Sequence, residues 1–142
     1  VFDDGYEFDL GKADLLRDGS DVTLIASGVC VANALQAAET LAQEGVSARV
    51  LNIHTIKPID ADAVIKAASE TGALVTAENH NVIGGLGSAV AEVLAEQRPT
   101  PLERVGVKDH FGQVGKAPYL MGVFGITAAD IAKAARKAIA RK

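Results

Sequence analysis

Residues 78–94 have the sequence Glu-Asn-His-Asn-Val-Ile-Gly-Gly-Leu-Gly-Ser-Ala-Val-Ala-Glu-Val-Leu, and the rest of the chain is arranged around them. The residues just before them, 73–77, are mostly apolar and predict a buried parallel strand. The residues after the glycines predict an amphipathic helix, because apolar side chains recur at helical spacing at Leu86, Val90, Val93 and Leu94. Residues 78–87, here called the polar corner, therefore join the carboxyl end of a strand to the amino end of a helix. Open α/β sheets bind ligands and partners at such positions.

The length and composition indicate one domain with an aliphatic core. A chain of 142 residues can bury about 70% of its unfolded surface as a single domain, here residues 1–142. Apolar residues make up 49% of the chain and aromatic residues only 4%, so aliphatic side chains are expected to fill the core. The sequence starts at Val1 rather than at a methionine, and we expect it to be a fragment of a larger protein.

Charge and hydropathy exclude several classes of function. The net charge of −4, without a Lys/Arg run beside exposed aromatic residues, argues against nucleic acid binding. No apolar run approaches the roughly 18 residues of a membrane span, so no membrane partner is expected. Cys30 is the single cysteine, which excludes an internal disulfide and fits a reducing compartment such as the cytoplasm.

Strand and helix signals alternate along the chain. We expect a short strand around Phe8, core strands over residues 22–26, 48–54 and 73–77, and a last strand over residues 102–107. Helices are expected over residues 29–43, 60–70, 86–98 and 118–123, and from a capping box at Thr127 and Asp130 onward. Right-handed crossovers require the winding direction to reverse if helices are to cover both sheet faces. The expected fold is a three-layer α/β/α sandwich.

The glycines of the polar corner allow two interpretations. Gly85 and Gly87 form half of a dinucleotide-binding fingerprint, but Ala89 and Val90 follow where the third glycine should stand, so nicotinamide binding is not expected. Glycines also let a backbone turn sharply and let a helix lie close to a sheet. Alternatively, the backbone N–H groups of Gly85 and Gly87 hold an anion at the start of the helix.

Glu78 and His80 are two residues apart and are expected to point the same way. Such a pair could exchange a proton, or it could form a structural corner or an interface contact. No metal-ligating set accompanies the pair, because His54 and His110 are too scattered along the sequence to indicate a zinc site. Cys30 lies near a helix N-terminus but has no neighbouring histidine, so we interpret it as a buried structural residue.

Four segments, in the same order, resemble the C-terminal domain of transketolases. They are residues 22–28, residues 52–60 (Asn-Ile-His-Thr-Ile-Lys-Pro-Ile-Asp), residues 76–92, and Phe111-Gly112 followed by residues 125–131. The chain is most similar to the C-terminal subunits of split transketolases. The resemblance implies a five-stranded mixed sheet of order 1-3-2-4-5, in which the antiparallel edge strand is the Phe8 segment. It also implies a crevice between Ser27-Gly28 and Glu78, where the winding reverses.

Members of this family use thiamine diphosphate and Mg²⁺ to move a two-carbon ketol unit between sugar phosphates, as in the pentose phosphate pathway. The family's cofactor-binding and activating residues belong to other domains, so the resemblance implies no catalytic residue, bound cofactor or metal in this chain. It implies an accessory domain that contacts the catalytic domains or subunit of the same enzyme and contributes to a homodimer. The candidate interface or anion-contact residues are Ser27, Gly28, Glu78, His80, Asn81, Gly84, Gly85 and Gly87.

Two alternatives remain open from the sequence. The parent enzyme could be a 2-oxoacid dehydrogenase beta subunit or a deoxyxylulose-phosphate synthase, which the resemblance places further away. In the other alternative, the chain is a stand-alone regulatory module that binds an anion at the glycines of the polar corner.

Overall fold

The computed structural model describes residues 2–142, and within that range the chain forms five strands and five helices. The strands are β1 (Asp14–Arg17), β2 (Val22–Ala26), β3 (Ala48–Asn52), β4 (Leu74–Asn81) and β5 (Leu102–Val107). The helices are α1 (Cys30–Gln43), α2 (Ala61–Thr71), α3 (Leu86–Gln97), α4 (Ala117–Phe124) and α5 (Ala128–Ile139). No helix among these residues is long and apolar enough to cross a lipid bilayer.

The strands form one mixed sheet in the order β1-β3-β2-β4-β5. Strand β1 pairs with β3 in the antiparallel direction, whereas β3, β2, β4 and β5 run parallel to one another. The chain moves from β2 outward to β3 and then crosses to the other side of β2, so the winding reverses between β2 and β4. The strand order expected from the family resemblance is confirmed. The carboxyl ends of the four parallel strands lie along one edge of the sheet, here called the carboxyl edge.

Two apolar layers cover the two faces of the sheet. Strand β2 shows the period of two directly, because Val22, Leu24 and Ala26 pack with α1 and α5 while Ile25 packs with α2 and α3. Apart from Cys30, the buried apolar residues are all Ala, Val, Leu and Ile, as the composition indicated. These layers make the molecule a three-layer α/β/α sandwich.

Capping side chains set the starts of α2 and α5 where the sequence predicted them. The Asp60 carboxylate accepts the Ala63 N–H at 3.1 Å, and its second oxygen accepts the Ala13 N–H at 3.0 Å. Thr127 and Asp130 form the expected capping box at the start of α5. The Asp60 contact also fixes the residues that precede β1 against the carboxyl edge.

The edge strand is Asp14–Arg17, and the prediction that it is the Phe8 segment was wrong. The alternating aromatic residues of that segment suggested a strand, but they contact side chains instead of a neighbouring strand. The Phe8 ring lies 4.4 Å from the His54 ring, and the Tyr6 hydroxyl donates to Asp14 at 3.0 Å. The short strand Asp14–Arg17 takes the edge position because its backbone pairs with β3.

Helix α5 is joined to β5 by an ion-pair cluster around Glu103. The Lys137 ammonium lies 2.8 Å from the Glu103 carboxylate, and Arg141 contacts its other oxygen. Partial burial alone would raise the pKa of Glu103, but the hydrogen bonds from the two cations lower it below its ordinary value. The cluster adds to the apolar packing of Ile131, Ala132 and Ala135, which holds the C-terminal helix on the sheet.

Candidate functional site

The polar corner is organised by the buried carboxylate of Glu78, which is only 2% exposed. Its two oxygens accept the N–H groups of Leu86 and Gly87, each at 2.8 Å. These are the first free amides of α3, and a carboxylate at a helix N-terminus is stabilised by the helix dipole as well as by the hydrogen bonds. Glu78 therefore fills, from within the chain, the position that a bound anion would take.

The glycines of the polar corner permit this close approach. A Cβ atom at Gly85 would overlap the Glu78 carboxylate, and one at Gly87 would lie 2.8 Å from both Arg104 and Thr76. Gly84 has a φ of 80°, a conformation that L side chains rarely adopt. The interpretation of Gly85 and Gly87 as close-packing residues is confirmed, and the Gly87 N–H is not free to hold an anion.

Glu78 and His80 do not form the pair that their spacing suggested. His80 is exposed, and its Nδ1 lies 3.1 Å from the backbone carbonyl oxygen of Asn81; in the part of the chain that the structure describes, no hydrogen bond links it to Glu78. The cause is a bulge, because β4 advances from Ala77 to Asn81 while its neighbour advances only from Val105 to Val107. The bulge turns the Glu78 side chain inward and the His80 side chain toward solvent.

Asn81 links the polar corner to the end of the neighbouring strand. Its side-chain amide donates to Asp109 at 3.0 Å, and its side-chain oxygen accepts the Ile83 N–H at 2.8 Å. Asp109 has a φ of 53°, which asparagine and aspartate tolerate better than most residues. Arg104 adds a bond of 3.0 Å to the Val82 carbonyl oxygen. The exposed surface of the corner is thus held in place by side chains from both β4 and β5.

Ser27 and Gly28 adjoin the polar corner across the point where the winding reverses. The Ser27 N–H donates to the Ala77 carbonyl oxygen at 3.2 Å, and Gly28 faces the Asn79 side chain. Cys30 is fully buried just beyond them. Burial, with a smaller contribution from the Glu78 charge, raises the pKa of the Cys30 thiol to about 11. The interpretation of Cys30 as a structural residue is confirmed.

An open groove of about 470 Å³ runs beside the glycines on the face that carries α3. One wall is the loop that contains Ile56 and Ile59, and the other comprises Gly84, Gly85 and the exposed side of α3. The groove has apolar patches and two negative side chains, Glu92 and Glu96, at its α3 wall. Such a surface suits a protein contact better than a small anion.

The sequence of this chain matches the family model described as Transketolase, C-terminal domain, over residues 11–131. The chain belongs to that family. A curated relative, the 6-deoxy-6-sulfo-D-fructose transketolase subunit of Clostridium sp. (strain MSTE9), is 59% identical over 136 residues, covering 96% of this chain and 42% of the relative. The 1-deoxy-D-xylulose-5-phosphate synthase 1 of Geobacter sulfurreducens is 41% identical over 138 residues, covering 96% of this chain and 22% of that protein.

A solved split-gene transketolase, described as an inactive beta4 tetramer, superposes on this transketolase C-terminal domain with a TM-score of 0.95. It is 46% identical, and the match covers 99% of this chain and 46% of that chain. This chain therefore spans less than half the length of each of these relatives. The resemblance to transketolase C-terminal domains and to split transketolase subunits is confirmed.

The Mg²⁺ that accompanies thiamine diphosphate takes oxygen ligands, and the described residues of this domain show no ready-made cluster of them. Within residues 2–142, no three His, Cys, Asp or Glu side chains come together in a way that could hold a metal ion. The one deeply buried carboxylate of the polar corner, that of Glu78, is already engaged by two amides. No residue of this domain is therefore assigned to the cofactor.

Sequence reasoning missed three residues of this site. Arg104, Asp109 and Ser88 all bond to the polar corner, and the Ser88 hydroxyl accepts the Gly84 N–H at 2.8 Å while donating to the Val82 carbonyl oxygen at 3.1 Å. Ser88 could have been identified as a polar residue in the first turn of a helix that follows glycines. Arg104 and Asp109 carry no such local signal, because their role depends on the pairing of β4 with β5.

Proposed function

We propose that residues 1–142 form the C-terminal domain of a thiamine-diphosphate-dependent transketolase, and that this domain contributes contacts and no catalytic group. The observation that carries the proposal is the 59% identity to a transketolase subunit over 96% of this chain. The internal use of the Glu78 carboxylate supports the second half of the proposal, because it engages the one carboxylate of the polar corner. The enzyme as a whole would transfer a two-carbon ketol unit between sugar phosphates or related anionic sugars.

The cofactor would bind to another part of the enzyme. Thiamine diphosphate supplies the stabilised carbanion in such reactions, and the protein around it supplies binding and orientation. The residues of the present chain would act at a distance, by holding the catalytic domains in their working arrangement.

The contact surface that we propose is the exposed part of the polar corner with the groove beside it. It comprises the candidate residues Ser27, Gly28, His80, Asn81 and Gly84, with the buried residues Glu78, Gly85 and Gly87 as the internal support. Binding residues are often carried on loops that a rigid scaffold positions, and the contacts of Glu78, Asn81 and Arg104 provide that rigidity here. A substitution of Glu78 that distorts the polar corner would therefore weaken the contact with the partner indirectly.

The partner would be the thiamine-diphosphate-binding domains or subunit, and the assembled enzyme would be a homodimer of the parent unit. The solved split-gene relative is described as inactive in its beta4 form. This description supports a requirement for a second kind of chain in that protein. We propose that the enzyme to which the present chain belongs has the same requirement for a second kind of chain.

The experiment is a ketol-transfer assay with the parent protein, intact and with residues 1–142 deleted. Xylulose 5-phosphate and 6-deoxy-6-sulfofructose serve as donors and ribose 5-phosphate as acceptor. The second donor is included because the Clostridium relative is named for it. We expect the deletion to abolish transfer or to abolish dimer formation in sedimentation analysis. Full activity of the deleted protein as a dimer would overturn the proposal.

A second candidate is the C-terminal domain of a deoxyxylulose-phosphate synthase. The 41% identity to the Geobacter protein favours it, although this identity is lower than that to the transketolase subunit. Formation of 1-deoxyxylulose 5-phosphate by the intact parent protein, without transfer to ribose 5-phosphate, would decide for this candidate.

A further inference from the structure

The segment after β5 carries apolar side chains that touch nothing in the domain. In this segment, residues 108–116, here called the arm, Phe111 and Val114 are both 101% exposed. Within the described residues 2–142, no backbone N–H of residues 110–115 donates a hydrogen bond. An apolar side chain gains stabilisation only when it leaves water, so these two side chains contribute nothing to the isolated domain. Exposed apolar groups of this kind mark interaction sites.

The base of the arm is fixed to the polar corner. Asp109 has a φ of 53° and accepts the Asn81 side-chain amide at 3.0 Å. The Val82 N–H donates to the Val107 carbonyl oxygen at 2.9 Å, immediately before the arm begins. The arm therefore leaves the carboxyl edge of the sheet in a defined direction.

The residues that lead into β1 reach the domain at the same edge. The Gly11 N–H donates to Thr55 at 3.2 Å, and the Phe8 ring packs on His54, just past the end of β3. Three strand spacings separate β3 from β5, which corresponds to about 14 Å. A domain of about 100 residues has a radius of gyration of about 13 Å, so one body can lie against both the lead-in and the arm.

We propose that the arm docks on the part of the same polypeptide that precedes this domain, with Phe111 and Val114 as its two anchors. This inference rests on the proposed function, and it names the partner and the contacting residues. More than half of the Clostridium transketolase subunit lies outside its match to this chain, so relatives carry enough chain to form such a body. Two anchor residues are enough for such a contact, because a few residues carry most of the binding energy of an interface. In addition, the two parts belong to one polypeptide, which gives the contact a high effective concentration.

Amide hydrogen exchange tests the contact without a mutation. The free arm amides of the 142-residue chain should exchange at nearly the rate of an unstructured peptide, because they donate no hydrogen bond. In the full-length polypeptide, we expect the amides of residues 110–115 to exchange roughly 100-fold more slowly. Equal rates in the two proteins would overturn the proposal.

A variant pair tests the anchors. Phe111→Ser with Val114→Ser should remove the added protection in the full-length polypeptide while shifting the melting temperature of the 142-residue chain by less than about 1 °C, since neither side chain is packed. Leu15→Ser is the control, because Leu15 is another exposed aliphatic residue, at 58%, but lies on β1 away from the arm. Arm protection that survives in the double variant would overturn the assignment of the anchors.

Two further outcomes identify a different occupant and would overturn the proposal. Protection that rises with concentration in the 142-residue chain would indicate a second copy of this domain. Protection that appears only after the thiamine-diphosphate-binding chain is added would indicate a contact between subunits. Ketol transfer is measured on the same preparations. If the enzyme is active but the arm is unprotected, this inference is overturned while the proposed function stands. If the arm is protected but activity does not need residues 1–142, the proposed function is overturned while this inference stands.

Discussion

Replacing Glu78 with glutamine should be among the most destabilising single-atom changes available in this chain. Glu78 is 2% exposed, and its two carboxylate oxygens accept the amides of Leu86 and Gly87 at 2.8 Å. Glutamine keeps one acceptor oxygen but places an NH₂ group against the other amide, so two donors face each other where water cannot enter. The local structure at the start of α3 must then shift or leave an amide unsatisfied.

The magnitude follows from these contacts. A hydrogen bond to a charged group contributes about 1.5–3 kcal/mol, and an acid at a helix N-terminus adds about 0.3–1 kcal/mol. Losing one bond, weakening the other and removing the charge should lower the free energy of unfolding by about 2–4 kcal/mol. With a urea m-value of about 2 kcal/mol per M for a chain of this size, the urea midpoint should fall by about 1–2 M.

The assay is urea unfolding of the 142-residue chain, followed by circular dichroism. Glu92→Gln is the matched control, because Glu92 lies on the exposed side of the same helix, and its variant should stay within about 0.5 kcal/mol of the parent. His80→Gln should also change little, since His80 is exposed and its ring contacts only a backbone carbonyl oxygen. A Glu78→Gln variant as stable as the control would refute the structural role assigned to the carboxylate.

Three further perturbations test other parts of the structure. Gly85→Ala should lower the unfolding free energy in urea by about 1–3 kcal/mol, because the new methyl group overlaps the Glu78 carboxylate, whereas Gly112→Ala, with open space around it, should not. The lowered pKa of Glu103 means that its contribution is present above its ordinary value of 4.5 and is lost as the pH falls from there through the folded-state pKa. Glu103→Gln should therefore reduce the acid sensitivity of the melting temperature, and an unchanged pH profile would contradict the ion-pair cluster. The Cys30 thiol, with its pKa raised to about 11, should react with a disulfide reagent at pH 8 at least about 100-fold more slowly than free cysteine until urea unfolds the chain.

Much of the fold could be predicted because the local signals agreed with one another. The apolar run of β2, the cap at Asp60 and the capping box at Thr127 each specify an element through its own residues, and all three were placed correctly. The order of the strands in the sheet could not be predicted in this way. Periodicity and right-handed crossovers require that the winding direction reverse, but they do not show between which strands it reverses. The resemblance to a known family supplied the order that the sheet confirms.

The polar corner was located correctly, but its geometry was not predictable from local sequence. The spacing of Glu78 and His80 implies a shared direction only in a regular strand, and the bulge in β4 removes that regularity. The prediction for the Phe8 segment was wrong for a different reason. Its apolar residues do alternate, but Phe8 and Tyr6 contact His54 and Asp14 without forming a strand. Contacts between distant strands, such as Asn81 with Asp109, are determined by the assembled sheet.

The most direct test of the central claim is calorimetric titration of thiamine diphosphate with Mg²⁺ into the 142-residue chain and into the assembled parent enzyme. If this chain is an accessory domain without a cofactor site, the isolated chain should show no binding heat. The parent enzyme should then bind the cofactor stoichiometrically. Stoichiometric binding to the 142-residue chain alone would contradict the account, because it would place in this domain a site that we assign to another part of the enzyme.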